Sequence, residues 1–230
     1  MRLLHILRIL KRNLNKKYGT KYLLKTKERY IIGPEEPPLL IAESYLKFFI
    51  PKYVFEIGAG TGEVSAFILN NTKDSKVYVN DKSPYLKSHL DNYLPKISRK
   101  RVSIIVRDIQ KVKIPKLDLL ISGIFYGELP KLMKNKGKEI KKALGKNGLF
   151  VIQSGMLENM FALTIIEPSL FPKIKEWNWY NNRYDLRNYF DYVLSFFLEG
   201  EIITLASQNK TVIKKIKQKL NKKIIPLNLK

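Results

Sequence analysis

Residues 54–62 read Val-Phe-Glu-Ile-Gly-Ala-Gly-Thr-Gly, and this stretch restricts the fold more than any other part of the chain. The apolar run through Tyr53, Val54, Phe55 and Ile57 reads as a strand buried on both faces. Three alternate glycines, Gly58, Gly60 and Gly62, then permit a tight strand-to-helix turn whose bare backbone a ligand can approach. A helix-competent stretch over 63–71 follows. A second strand over 76–80 delivers Asp81, 19 positions after Gly62, to the same edge of the sheet. A carboxylate there can accept hydrogen bonds from both hydroxyls of a ribose.

The glycine spacing separates two ligand classes. In a dinucleotide-binding turn, Gly-x-Gly-x-x-Gly, the third glycine would fall at position 63, where Glu63 instead sets a negative charge against a pyrophosphate. The pattern present, Glu-x-Gly-x-Gly-x-Gly from Glu56 to Gly62, resembles motif I of the class I S-adenosylmethionine-dependent methyltransferases. Their cofactor carries a ribose and an adenine but no phosphate, so an acid at 63 is compatible with it. The resemblance covers roughly residues 40–207. It implies an α/β, Rossmann-like, doubly wound and mostly parallel seven-stranded sheet, with helices on both faces and a C-terminal antiparallel hairpin. It also implies roles: Gly58, Gly60 and Gly62 shape the cofactor turn, Glu56 supports it near the methionine end, and Asp81 holds the ribose. Asp108 would hydrogen-bond the adenine amino group with Ile109 packing on the ring, although Asp108 could equally cap a turn or pair with Arg107.

The alternation of strand and helix signals agrees with this architecture. Strands are expected at 53–57, 76–80, 102–106, 117–122 and 148–153, and helices at 39–49, 63–71, 84–94 and 131–144. A closing hairpin is expected from 192–197 and 201–206, and an apolar helix from 156–170. The segment 177–192 is densely aromatic and polar, suited either to binding substrate or to packing on the sheet. Three regions result: a basic helical extension and lid over 1–45, a methyltransferase-like core over 46–207, and a basic tail over 208–230. Both ends carry basic amphipathic segments, 2–14 with Leu3, Leu7, Leu10 and Leu14 on one face, and 210–224 with Val212, Ile213, Ile216 and Leu220 on one side.

Composition removes several classes of function. The 230 residues include no cysteine, which excludes disulfide frameworks, cysteine-ligated zinc and a cysteine nucleophile. The two histidines, His5 and His89, do not form a metal-ligand pair, and no metal is expected. No apolar run is long enough to span a bilayer and no signal-peptide cleavage pattern follows the basic N-terminus, so the cytoplasm is the expected location. The net charge of +23 is concentrated at both ends and in 101–150, which alone carries twelve basic and four acidic residues. Such a surface concentrates polyanions around it, RNA foremost, with an anionic phospholipid headgroup as a second acceptor class.

The loop that should face the transferable methyl group follows the fourth core strand: Gly123-Ile124-Phe125-Tyr126-Gly127-Glu128-Leu129-Pro130. Phe125 and Tyr126 resemble, at a distance, the aromatic end of the adenine-N6 methyltransferase motif, where a ring stacks on the target base. Gly123 stands where that motif has its amide or carboxylate. Tyr126 and Glu128 are the candidate catalytic residues, and Asp118 is a third candidate base with a structural alternative in strand-edge pairing. A weaker resemblance points to aminopropyltransferases such as spermidine synthase, through Glu28-Arg29-Tyr30, 148–155 and Ile203-Thr-Leu-Ala-Ser207. Their aspartate-bearing loop would fall near Gly123, and a cationic protein repels a polyamine. A non-catalytic RNA-binding protein on the same scaffold is the alternative from another class.

Overall fold

The computed structural model describes residues 23–25, 30–32, 36–60, 62–82, 100–123, 129–156, 186–198, 201–220 and 224–226. A small antiparallel ribbon comes first, β1 (Leu23–Lys25) with β2 (Tyr30–Ile32). Helix α1 (Glu36–Leu46) follows and starts three residues before the expected position, because Pro37 and Pro38 fit a first helical turn that needs no N–H donors. The central elements are β3 (Tyr53–Ile57), α2 (Glu63–Asn71), β4 (Lys76–Asp81), β5 (Val102–Val106), β6 (Leu119–Ser122), α3 (Leu129–Leu144) and β7 (Leu149–Met156). The chain closes with β8 (Tyr192–Leu198), β9 (Glu201–Ser207), α4 (Lys210–Leu220) and β10 (Ile224–Pro226).

Strands β5, β4, β3, β6 and β7 lie side by side in that order and run parallel, and β9, β8 and β10 extend the sheet beyond β7. Strand β9 is antiparallel to both β7 and β8, which is the expected closing hairpin. All seven expected strands are present. An eighth, β10, pairs antiparallel with β8 in the register Ile224↔Leu198. Strand order reverses at β3, which has β4 on one side and β6 on the other, so the crevice that binds ligands in such sheets opens at the carboxyl ends of β3 and β6.

Each face of the sheet carries its own core, as a parallel sheet requires. On the first face, Val54, Val77, Val79, Leu119, Ile121 and Val151 pack against α1, α2 and α4. On the second, Phe55, Ile57, Leu120, Phe150 and Ile152 pack against α3. Helix α3 offers Leu132, Met133, Ile140 and Leu144 at helical spacing, each fully or nearly fully buried, at about 1.5–3 kcal/mol per large side chain. A Cβ at Gly137 of α3 would overlap the Tyr189 ring, so the helix is bare where that ring lies across it. Leu186 and Phe190 are buried in the same layer, with Phe190 6.2 Å from Phe150 between ring centroids. The described end of the aromatic segment therefore packs on the sheet. The rest of it, the expected helices at 2–14 and 84–94, and all but Met156 of the helix expected at 156–170 lie outside the described residues; Met156 ends β7 instead of starting a helix.

Helix α4 buries Val212, Ile213, Ile216 and Leu220 and leaves Lys210, Lys214, Lys217 and Lys219 exposed. Asn209 caps it, its Oδ1 accepting from Thr211 N at 2.9 Å. The apolar side of the helix is part of the core.

Asp118 lies just before β6, at the amino edge. Its Oδ2 accepts from the backbone N–H of Lys52 at 2.7 Å and Tyr53 at 2.9 Å. It thus stitches β6 to β3 on the edge away from the crevice, which removes it as a candidate base. Beside it, the Tyr45 hydroxyl donates to the Asp118 carbonyl at 3.3 Å. Burial first, and the Asp118 carboxylate second, raise the Tyr45 phenol above its ordinary value of 10.0. The folded state therefore favours the neutral phenol. Stability from this group is intact below pH 10 and is lost as pH rises through the folded value, at about 1.4 kcal/mol per pH unit. Urea unfolding at pH 9 and 11 should show Tyr45→Phe losing less stability between the two than the parent does; equal losses would contradict the assignment.

Candidate cofactor site at the carboxyl edge

The turn after β3 is built on three left-handed residues, Gly58 (φ 68°), Gly60 (φ 54°) and Gly62 (φ 77°). A residue with a Cβ would cost roughly 1–2 kcal/mol at each of these positions. The turn is pinned to the end of β4, whose Asn80 carbonyl accepts from Gly58 N at 2.9 Å and Ala59 N at 3.1 Å. Gly62 N closes it on the Ala59 carbonyl at 2.7 Å. Gly58 is exposed and Gly60 half-exposed, so main chain without side chains faces the crevice.

Asp81, the last residue of β4, is half-exposed at this edge. Its Oδ2 accepts from Gly60 N at 2.9 Å, so the carboxylate and the glycine turn form one unit. The sequence places Asp81 at the edge of the glycine turn, and the structure adds the bond that joins the two. Glu56 is placed differently from a residue at an open surface. It is only 6% exposed, and its Oε2 accepts from Ser65 N at 3.1 Å and from the Ser65 hydroxyl. Ser65 is the third residue of α2, and Gly62, the residue that precedes the helix, has no side chain to cap it. The Glu56 carboxylate therefore fills the anion-attracting N-terminus of α2 from the neighbouring strand.

Two residues of this architecture were missed by the motif reading. Asn80 is 2% exposed, and its Nδ2 donates to the carbonyls of Ile105 at 2.9 Å and Arg107 at 2.8 Å. It ties the end of β5 to β4 while its own carbonyl holds the glycine turn. The available signal was an asparagine facing inward in a strand otherwise built on valines, a residue depleted from strand interiors. Ser65 is the second, visible only as a hydroxyl three positions after Gly62.

Beyond β5, Asp108 caps a short 3-10 turn, Ile109–Lys111, its Oδ1 accepting from Gln110 N at 3.0 Å. Asp108 thus caps the turn through Oδ1, and it stays half-exposed one residue after Arg107, whose N donates to the Asp81 carbonyl at 3.1 Å. Ile109 is 5% exposed in the second core, so it supports this turn from beneath rather than displaying an open face. At the end of β6, Ser122 is buried and Gly123 N donates to the Ile57 carbonyl at 3.0 Å, which sets Gly123 at the crevice. Phe125, Tyr126 and Glu128 in that loop lie outside the described residues. Among the described residues there is no cluster of three or more His, Cys, Asp or Glu that could hold a metal, and no helix long and apolar enough to cross a membrane.

No family model matches the chain, and no curated protein is significantly similar to it in sequence. Solved structures are similar in fold. Precorrin-6y C5,15-methyltransferase from Geobacter metallireducens is 13% identical with a TM-score of 0.55, the match covering 81% of this chain and 94% of that one. Ribosomal protein L11 methylase from Lactobacillus delbrueckii is 12% identical with a TM-score of 0.52, covering 84% and 93%. A probable spermidine synthase from Corynebacterium glutamicum is 15% identical with a TM-score of 0.56, covering 83% and 72%. The fold is that of the class I S-adenosylmethionine-dependent methyltransferases, which the spermidine synthases share.

Proposed function

We propose that this chain is an S-adenosylmethionine-dependent methyltransferase whose acceptor is RNA. The observation that carries the cofactor assignment is the joined unit of three left-handed glycines and Asp81, linked by the 2.9 Å bond from Gly60 N to Oδ2. The residues present fit the group. Bare backbone at Gly58 and Gly60 accommodates a close ligand, and Asp81 supplies the acceptor for ribose hydroxyls. Glu56 already occupies the α2 N-terminus, so a pyrophosphate would meet a buried carboxylate where a dinucleotide needs free N–H groups. A positively charged sulfonium meets no such repulsion. Asp108 holds the adenine edge, with Ile109 fixing the turn that carries it.

S-adenosylmethionine supplies an already activated methyl group, so the protein acts mainly by alignment. Phe125 and Tyr126 hold the acceptor base by stacking, and Tyr126 and Glu128 are the candidates for orienting its nucleophilic atom. A neutral amine needs no dedicated base, which accords with the scarcity of histidine. The RNA acceptor is supported by the net charge of +23.

The test is transfer of labelled methyl from S-adenosylmethionine to a mixture of total RNA and phospholipid extract. Label in RNA is the expected result. Label confined to lipid would replace the acceptor. Product formed only from decarboxylated S-adenosylmethionine and putrescine would replace methyl transfer by aminopropyl transfer. RNA binding with no affinity for either adenosyl compound would leave a non-catalytic binding protein.

A further inference from the structure

We propose that the phosphate backbone of an RNA acceptor docks on two adjacent rows of lysines, one on the outer face of α3 and one on the loop over 109–117 beside it, which together lead to the crevice. The inference rests on the reading of the carboxyl edge as a methyl-transfer site with an RNA acceptor.

The two rows are held in register by four hydrogen bonds. Asn135 Nδ2 donates to Gln110 Oε1 at 3.1 Å, and Lys136 Nζ to the Val112 carbonyl at 2.7 Å. Ile114 N donates to Glu139 Oε1 at 2.7 Å, and Leu117 N to the Ala143 carbonyl at 2.9 Å. The loop thus follows α3 from its second turn to its last. It exposes Lys111, Lys113 and Lys116. Helix α3 exposes Lys131, Lys134, Lys138, Lys141 and Lys142. Successive turns of the helix bring these ammonium groups round at intervals of about 5.4 Å.

The only acid of α3, Glu139, is already engaged. Burial would raise its carboxyl, but the Ile114 N–H and the Lys136 ammonium, 2.8 Å away, outweigh that and hold it below its ordinary value of 4.5. Lys113 adds to the lowering of Glu139, and among the described residues no other exposed lysine of the two rows has a carboxylate partner. The rest of the strip is a long, uncompensated positive surface, the complement of a phosphodiester chain. Its position gives it direction. The last turn of α3 sits at the amino edge, where Ala143 accepts from Leu117 N just before β6, so its first turn at Leu129 points to the carboxyl edge and a strand lying along α3 reaches the switch point at one end.

Helix α4 is similarly basic but lies on the opposite face of the sheet, against α1, β8 and β9. It provides an internal control that separates a docking face from general positive charge.

The experiment is fluorescence anisotropy of a labelled single-stranded RNA of about 20 nucleotides across a potassium chloride series. Three versions of the 230-residue chain are compared: the parent, Lys134→Gln/Lys138→Gln/Lys142→Gln on α3, and Lys210→Gln/Lys214→Gln/Lys217→Gln on α4. All six positions are exposed, so both triple variants are expected to fold and to bind S-adenosylmethionine in calorimetry as the parent does. The α3 set should flatten the slope of log affinity against log salt by about 2, at ~0.7 per lost phosphate contact, and weaken binding at least about tenfold near 0.1 M salt. The α4 set should stay within about twofold of the parent. Equal losses from both sets, or parent-like binding by the α3 set, would overturn the docking face while leaving the RNA acceptor standing. Absence of RNA binding by the parent at low salt would overturn both. α3-dependent sedimentation with phosphatidylglycerol vesicles in that case would reassign the strip to a membrane surface.

Discussion

Replacing Asp81 with alanine is expected to weaken S-adenosylmethionine binding about 100-fold while the protein stays folded. A carboxylate accepting from two ribose hydroxyls forms charge-assisted bonds of roughly 1.5–3 kcal/mol each, and about 3 kcal/mol in total corresponds to two decades of affinity. The structural loss is smaller, because Asp81 is half-exposed and the bond from Gly60 N is worth about 1 kcal/mol. Asp81→Asn separates the two contributions. It keeps an oxygen for Gly60 N but loses the charge, and should fall between alanine and the parent at about tenfold. Calorimetric titration measures all three, and an alanine variant within about threefold of the parent would remove the ribose assignment.

Asn80→Ala is expected to act in the opposite sense, on stability before affinity. It strips the donor from the carbonyls of Ile105 and Arg107 in a site where the asparagine is 2% exposed. Two lost hydrogen bonds and two poorly satisfied carbonyls amount to about 2–4 kcal/mol, or a fall in Tm of roughly 6–12 °C for a domain of this size. Cofactor affinity should weaken too, since the end of β5 carries the turn with Asp108. Asn80→Asp tests the mechanism without a cavity. The volume is unchanged, but a carboxylate oxygen replaces the donor and faces two carbonyls, so it should be at least as destabilising as alanine. Melting of Asn80→Asp at the parent temperature would show that these bonds do not hold β5.

The glycine run and the strands around it were legible because each carries a local signal. β3, α2 and β5 appear with the boundaries expected from their apolar runs and flanking punctuation. The place of Asp81 at the end of β4 was legible for the same reason, since an acid closing an apolar strand is a local pattern, whereas its bond to Gly60 N was not. What escaped depends on partners distant in sequence. Strand β10 is three residues ending in a proline after a lysine-rich helix, and only pairing with β8 makes it a strand. Asp118 could be read as a base or as a strand-edge residue, and the partners that decide for the edge, the backbone N–H groups of Lys52 and Tyr53, are far away in the chain. Glu56 stands two residues before the glycine turn in the sequence, but its hold on Ser65 depends on how α2 packs over β3. The alignment of loop 109–117 with α3 is likewise tertiary, and no spacing in the chain announces it.

The most direct measurement of the central claim is a crystal structure with S-adenosylhomocysteine. The account predicts both ribose hydroxyls within about 3.2 Å of the Asp81 carboxylate, the adenosyl group against the backbone of Gly58 and Gly60, and the Glu56–Ser65 bonds intact. A ligand bound elsewhere, or a crevice at β3 and β6 that stays closed by side chains at saturating concentration, would contradict it.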